Sequence, residues 1–142
     1  MSIAKDRRSA PDRAGGCVLL VEDDPDIRTV VRTTLEGHHY RVVEVGTARE
    51  GIDSVEVHHP HLVILDLMLP GKDGWWFLRE VQQCPSPRPA VMVLSARSGQ
   101  PERVMAQMLG AAEFMVKPFD PDQVVKRVRS LIGPADEHRA LG

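Results

Sequence analysis

Five short apolar runs recur along the chain, at 18–21, 42–45, 62–65, 90–94 and 114–116, and a segment of helical periodicity follows each one. No other feature narrows the choice of fold as far. The runs are strand-length and rich in Val, Ile and Leu. The first, third and fourth are continuous rather than alternating, the pattern of strands buried on both faces of a parallel sheet.

The intervening segments carry helix signals. Pro25 sits at a first helical position, and Ile27, Val30, Val31, Thr34 and Leu35 form a stripe that ends at Gly37. Thr47 and Glu50 have capping-box spacing, with Ala48, Ile52 and Val55 sharing a face. A third helix opens near Gly74 and places Trp75, Leu78 and Val81 on one side, so Trp75 is the expected core aromatic and Trp76 faces outward or sideways. A fourth starts near Pro101, is expected to bury Val104, Met105 and Met108, and stops at Gly110. The fifth has Asp120 as N-cap and Pro121 after it, then Val124, Val128, Leu131 and Ile132. Five βα units in tandem predict an α/β fold with a five-stranded parallel sheet. Right-handed crossovers put helices on both faces. The doubly wound, flavodoxin-like order 2-1-3-4-5 is the leading arrangement, with its cleft at the carboxyl ends of the strands, near the switch between the first and third.

Length and charge limit the rest. The chain of 142 residues fits one domain, expected over 17–133, with flexible tails at 1–16 and 134–142. The net charge of −2 divides into +2 on the first tail, −1 on the second and −3 on the body. A mildly acidic body is poorly equipped to grip a phosphate backbone, so no direct nucleic-acid binding is expected. Cys17 and Cys84 are too few for a disulfide framework and read as buried or half-buried free thiols. No apolar run approaches the roughly 20 residues that span a bilayer. The start has no apolar signal core either, so the expected compartment is the cytoplasm, with no membrane partner.

The residues at the predicted carboxyl ends are the informative ones. Glu22, Asp23 and Asp24 follow the first strand, Asp66 ends the third, Ser95 the fourth, and Lys117-Pro118 the fifth. Singly, each has a local explanation: Asp24 before Pro25 suits a helix cap, and Asp66 opens a turn where Asp is common. Their joint placement after four strands argues for chemistry. Carboxylates converging on one rim repel each other unless a cation joins them, and an all-oxygen set with room for water suits Mg²⁺. A hydroxyl and an ammonium on the far side can hold phosphoryl oxygens. An Asp so placed can be the nucleophile that forms an aspartyl phosphate.

The segments Val21-Glu22-Asp23-Asp24-Pro25, Leu65-Asp66-Leu67-Met68-Leu69-Pro70-Gly71-Lys72-Asp73-Gly74, Val93-Leu94-Ser95-Ala96-Arg97 and Met115-Val116-Lys117-Pro118-Phe119 resemble the CheY-like receiver domains of two-component response regulators. The resemblance covers about residues 17–133, with the signature segments in order. It implies that Asp66 is the phosphoacceptor, charged by a histidine kinase or a phosphotransfer protein. It makes Asp23 a direct Mg²⁺ ligand and Glu22 one that binds mainly through water, with the backbone carbonyl of Met68 completing the protein ligands. Ser95 and Lys117 would bind the phosphoryl group, the Lys117–Pro118 bond would be cis, and Phe114 would be the aromatic switch residue. Met68 and Arg97 stand where the family tunes dephosphorylation.

The implied output is a changed surface for a downstream protein, not a released product, so the chain is not expected to be an enzyme beyond assisting its own phosphorylation and dephosphorylation. Family members that dimerise through the fourth helix, fifth strand and fifth helix carry charged pairs there. Arg103, Glu113 and Arg127 fit that pattern, but Ala112 and Met108 replace expected charges, so a monomer is expected. Two readings of the whole remain: a stand-alone receiver, favoured by the native-looking Met1, or an excised part of a longer regulator with DNA-binding or enzymatic output. An Mg²⁺-dependent phosphohydrolase would need a general acid where Met68 stands. In a flavin carrier, Glu22, Asp23 and Asp24 would repel the cofactor phosphate. The run His58-His59-Pro60-His61 is not expected to hold a metal, because Pro60 breaks the helical spacing.

Overall fold

The computed structural model describes residues 16–96 and 99–135. Most of the two expected tails, and Arg97, lie outside the described residues. Gly16 and Ala135, at the inner ends of the tails, are buried.

Ten elements alternate among the described residues: β1 Cys17–Val21, α1 Pro25–Gly37, β2 Arg41–Val45, α2 Ala48–His58, β3 Leu62–Asp66, α3 Gly74–Val81, β4 Ala90–Ser95, α4 Gln100–Met108, β5 Glu113–Val116 and α5 Pro121–Ile132. The five strands form one parallel sheet in the order β2-β1-β3-β4-β5, as the pattern of runs predicts. The continuous runs are the central strands. β1 and β3 are buried at every residue, whereas β2 and β5 lie at the edges and are only partly covered.

Side chains alternate across a strand, so each strand feeds two cores. Leu19, Val21, Val63, Leu65, Val91 and Val93 pack with Ala48, Val55, Phe77, Leu78, Val81 and Ala106 of α2, α3 and α4. Val18, Leu20, Leu62, Ile64, Met92 and Leu94 pack with Val31, Leu35, Val124, Val125 and Val128 of α1 and α5. The sheet is thus wound on both faces. Four helices start at a capping side chain. Asp24 accepts from the N–H groups of Asp26 and Ile27, Thr47 from Glu50, Asp73 from Trp76 and Asp120 from Asp122, each satisfying an orphan donor of the first turn. The fifth, α4, starts after Gly99, which has no side chain to offer.

Three expected core faces need correction. In α3 the buried set is Gly74, Phe77, Leu78 and Val81, the i, i+3, i+4, i+7 stripe. Phe77, not Trp75, is the core aromatic, and Trp75 is half-buried. Two cations approach the Trp76 ring, the Arg49 and Lys72 groups at 5.3 and 5.7 Å from its centre. In α4 only Ala106 is buried, and Val104, Met105 and Met108 are exposed at 43, 53 and 80%. Ala106 is the residue that this helix turns into the core, so its bulky apolar residues point outward. In α1, Val30 is likewise exposed.

Cys17 is buried and Cys84 half-buried, and neither forms a disulfide among the described residues. The histidine run does structural work: His61 Nδ1 accepts from the Cys17 N–H at 2.9 Å, and His59 caps α2 in the left-handed region at φ 48°. Among the described residues no helix is long and apolar enough to cross a membrane.

Candidate functional site

Strand register assembles the site. Asp66 on β3 lies beside Leu94 on β4, and Ser95 lies beside Val116 on β5, one residue before Lys117. Glu22, Asp66 and Lys117 each stand two residues beyond Leu20, Ile64 and Met115, which share one core, so the period of two sends them to one side of the rim. Ser95 continues the other face after Val93, the face that also carries Phe114.

Lys117 joins the two buried carboxylates. Its Nζ lies 2.9 Å from Glu22 Oε1 and 3.2 Å from Asp66 Oδ2. Glu22 Oε2 accepts from the Asp24 N–H at 3.1 Å, and Asp66 Oδ1 from the Met68 N–H at 3.0 Å. Glu22 and Asp66 are 0 and 3% exposed, while Asp23 faces solvent. Burial pushes the Glu22 carboxyl up to about 7, opposed by its bond from Lys117 and reinforced by Asp66. Burial alone would lower the Lys117 ammonium, but its bond to Glu22 and the charges of Glu22 and Asp66 outweigh that and hold it above its ordinary value.

Carboxylate oxygens of Glu22, Asp23 and Asp66 all lie within 4.8 Å of one another. Three hard oxygen donors, one of them open to water, fit Mg²⁺, which takes one or two carboxylates and keeps several waters. The cluster opens into a cleft of about 510 Å³ walled by Asp23, Met68, Pro70, Trp75, Ser95 and Glu102. The structure therefore brings Glu22, Asp23, Asp66 and Lys117 into one cluster, and Met68 joins it through its backbone amide. Ser95 is 1% exposed and borders the cleft. Phe114 is 4% exposed and lies under the Arg103 guanidinium, 4.7 Å from its ring centre. The Lys117–Pro118 bond is cis, and so is Ser86–Pro87.

Two contributions were not anticipated. Gly74 passes against the loop after β3: a Cβ there would stand 2.5 Å from Leu67 Cα and 2.7 Å from Asp66 O. The available signal was a Gly at the start of a helix, where Ser, Thr, Asn and Asp are the usual neighbours. Arg28 reaches back from α1 to the carbonyls of Glu22 and Asp23, at 2.8 and 3.2 Å. Nothing in the periodicity of α1 distinguishes it from a solvated arginine.

The family model for the response regulator receiver domain matches residues 18–129. The KDP operon transcriptional regulatory protein KdpE of Escherichia coli (strain K12) is 40% identical over 112 residues, which cover 79% of this chain and 49% of that protein. The chain spans about half the length of the curated relatives it matches. Among solved structures, the BeF3-activated receiver domain of Klebsiella pneumoniae RstA is 26% identical with a TM-score of 0.75, over 82% of this chain and 97% of that one. The receiver domain of the Pseudomonas aeruginosa PAO1 sensor histidine kinase PA1611, with a magnesium ion in its active-site cleft, is 29% identical. Its TM-score is 0.77, over 84% of this chain and 99% of that one.

Proposed function

The chain belongs to the response regulator receiver family of two-component systems, and from that premise we propose that Asp66 accepts a phosphoryl group and converts it into a changed protein-binding surface. The donor is a histidine kinase or a histidine phosphotransfer protein. The observation that carries this reading is the Lys117 ammonium, bonded at once to Glu22 and Asp66 on a rim that also holds Asp23.

In the transfer an Asp66 carboxylate oxygen bonds to phosphorus as the P–N bond of the phosphohistidine breaks, and the departing imidazole takes a proton from solvent. Lys117 places a positive charge beside Asp66, where the transferred oxygens gather charge. Glu22, Asp23, Asp66 and the Met68 backbone carbonyl are the proposed Mg²⁺ ligands. When bound, the ion neutralises phosphoryl charge at the carboxylate rim.

Phosphorylation replaces the single carboxylate charge of Asp66 with a phosphoryl group that carries about −1.5 to −2 and three acceptor oxygens. Ser95 and Lys117 bind that form better than the bare carboxylate, and this difference is what biases the two arrangements. Ser95 and Phe114 share a sheet face, so a movement of the hydroxyl reaches the ring and its covering Arg103. The output surface is then the exposed side of α4 and β5, and the product is a conformation, not a turned-over substrate. The matched stretch covers only about half of the relatives named as transcriptional regulators.

Incubation with a small phosphodonor such as acetyl phosphate should label the protein in the presence of Mg²⁺ and not in EDTA. Asp66→Asn, folded by circular dichroism, should take up no label. Labelling of that variant at the wild-type rate refutes the assignment.

A further inference from the structure

Arg28 lies in the second turn of α1, and its guanidinium turns back toward the loop that precedes the helix. Nη1 donates to the carbonyls of Glu22 and Asp23, while Nε lies 3.4 Å from Glu44 Oε1 on β2. Glu44 is in turn held by Arg32 Nη1 at 2.6 Å. The group is 23% exposed and Glu44 27%. Gly46, just beyond β2, borders the guanidinium, and a Cβ there would make ordinary contact with Arg28 Nη1 at 3.4 Å.

One peptide plane explains why this matters. The unit joining Asp23 to Asp24 has its carbonyl bonded to Arg28 and its N–H bonded to Glu22 Oε2. It is therefore gripped at both ends, and rotating it breaks the bond that holds the Glu22 carboxylate. The neighbouring unit, between Glu22 and Asp23, is held through the Glu22 carbonyl. The backbone on both sides of Asp23 is thus fastened by one guanidinium, and that guanidinium is fastened to the sheet edge by Glu44. We infer that Arg28, anchored by Glu44, is a positioning residue that sets the Mg²⁺ affinity of the Glu22–Asp23 loop without touching the ion.

This rests on the Mg²⁺ reading of the site, and charge makes the two separable. A guanidinium near a cation site repels the cation, so if Arg28 acted through charge alone, removing it would tighten Mg²⁺ binding. As a positioning residue its removal loosens binding, and outer-shell partners of metal ligands typically contribute about 10- to 100-fold in affinity. Calorimetric titration with Mg²⁺ measures this directly, alongside the melting temperature in EDTA. Arg28→Gln should bind Mg²⁺ about 10-fold more weakly. Glu44→Gln leaves the carbonyl bonds in place and frees only the far end, so a smaller loss is expected. Arg28→Lys, with the charge but one compact donor group, should fall between wild type and Arg28→Gln. Mg²⁺ affinity equal to or above wild type in Arg28→Gln overturns the inference, as does a lowered melting temperature with unchanged affinity in all three variants. A wild-type protein that binds no Mg²⁺ overturns the metal reading itself, and the inference with it. Loss of binding in Asp23→Asn, with wild type binding, keeps the premise and isolates Arg28.

Discussion

Titrating the stability of the protein in EDTA tests the charge balance of the site. Burial holds the Glu22 carboxyl at about 7 in the fold, against 4.5 for the unperturbed group. Between those values the folded protein keeps a proton that the unfolded chain has released. The linked stability is fully present below pH 4.5 and is lost as pH rises through about 7. At about 1.4 kcal/mol per unit of difference, the loss is on the order of 3 kcal/mol. Typical domains hold only about 5–15 kcal/mol, so the effect is large enough to measure. The raised Lys117 contributes its own linkage only in the alkaline range. The assay is urea unfolding of wild type and Glu22→Gln at half-unit steps from pH 5 to 8. Glutamine is uncharged and pairs an acceptor oxygen with a donor group, as a protonated carboxyl does, so it imitates the neutral low-pH form throughout. Wild type should lose stability relative to the variant as pH rises, and His58, lowered chiefly by burial, is common to both and cancels. Excess Mg²⁺ should abolish the wild-type decline by taking the proton's place. Parallel profiles for the two proteins across the range, or a wild type that gains on the variant, refute the reasoning.

Gly74→Ala should destabilise by about 1–3 kcal/mol, because its Cβ would meet Leu67 Cα at 2.5 Å where carbons ordinarily approach to about 3.5–4.0 Å. Backbone must move by about 1 Å beside Asp66, a displacement that can cost about 100-fold in rate; an unchanged urea midpoint and labelling rate contradict this. The protein should also remain monomeric on phosphorylation or with beryllofluoride, since Arg127 already pairs with Glu113 of the same chain at 2.7 Å and Arg103 already covers Phe114. Light scattering that shows the mass doubling on activation removes that reading.

The βα alternation was legible from single runs because strand length, β-branched content and helix caps are local quantities. Asp24, Thr47 and Asp120 cap as their spacing predicts. The central position of the first, third and fourth strands followed from their continuous apolar runs. Helix faces were less legible. In α3 the choice between Trp75 and Phe77 turns on a rotation of two residues. In α4 an i, i+4 pair of apolar side chains, Val104 and Met108, marks the outer face because Ala106 takes the sheet side. Apolar spacing identifies a face and does not say whether a core lies against it.

The residue types at the strand ends were likewise readable, since a parallel sheet sends all its carboxyl ends to one rim whatever the details of packing. Their division of labour was not. That Glu22 rather than Asp23 is buried against Lys117, 95 positions away, that Trp75 walls the cleft, and that Arg28 fastens the acidic loop to β2 are matters of distance between remote segments. The sequence by itself determined the order of elements and the chemistry delivered to the rim, because both follow from local pattern and topology. Only the tertiary structure decided which carboxylate loses its water and which arginine holds the loop, because desolvation and hydrogen bonding depend on what packs across the rim.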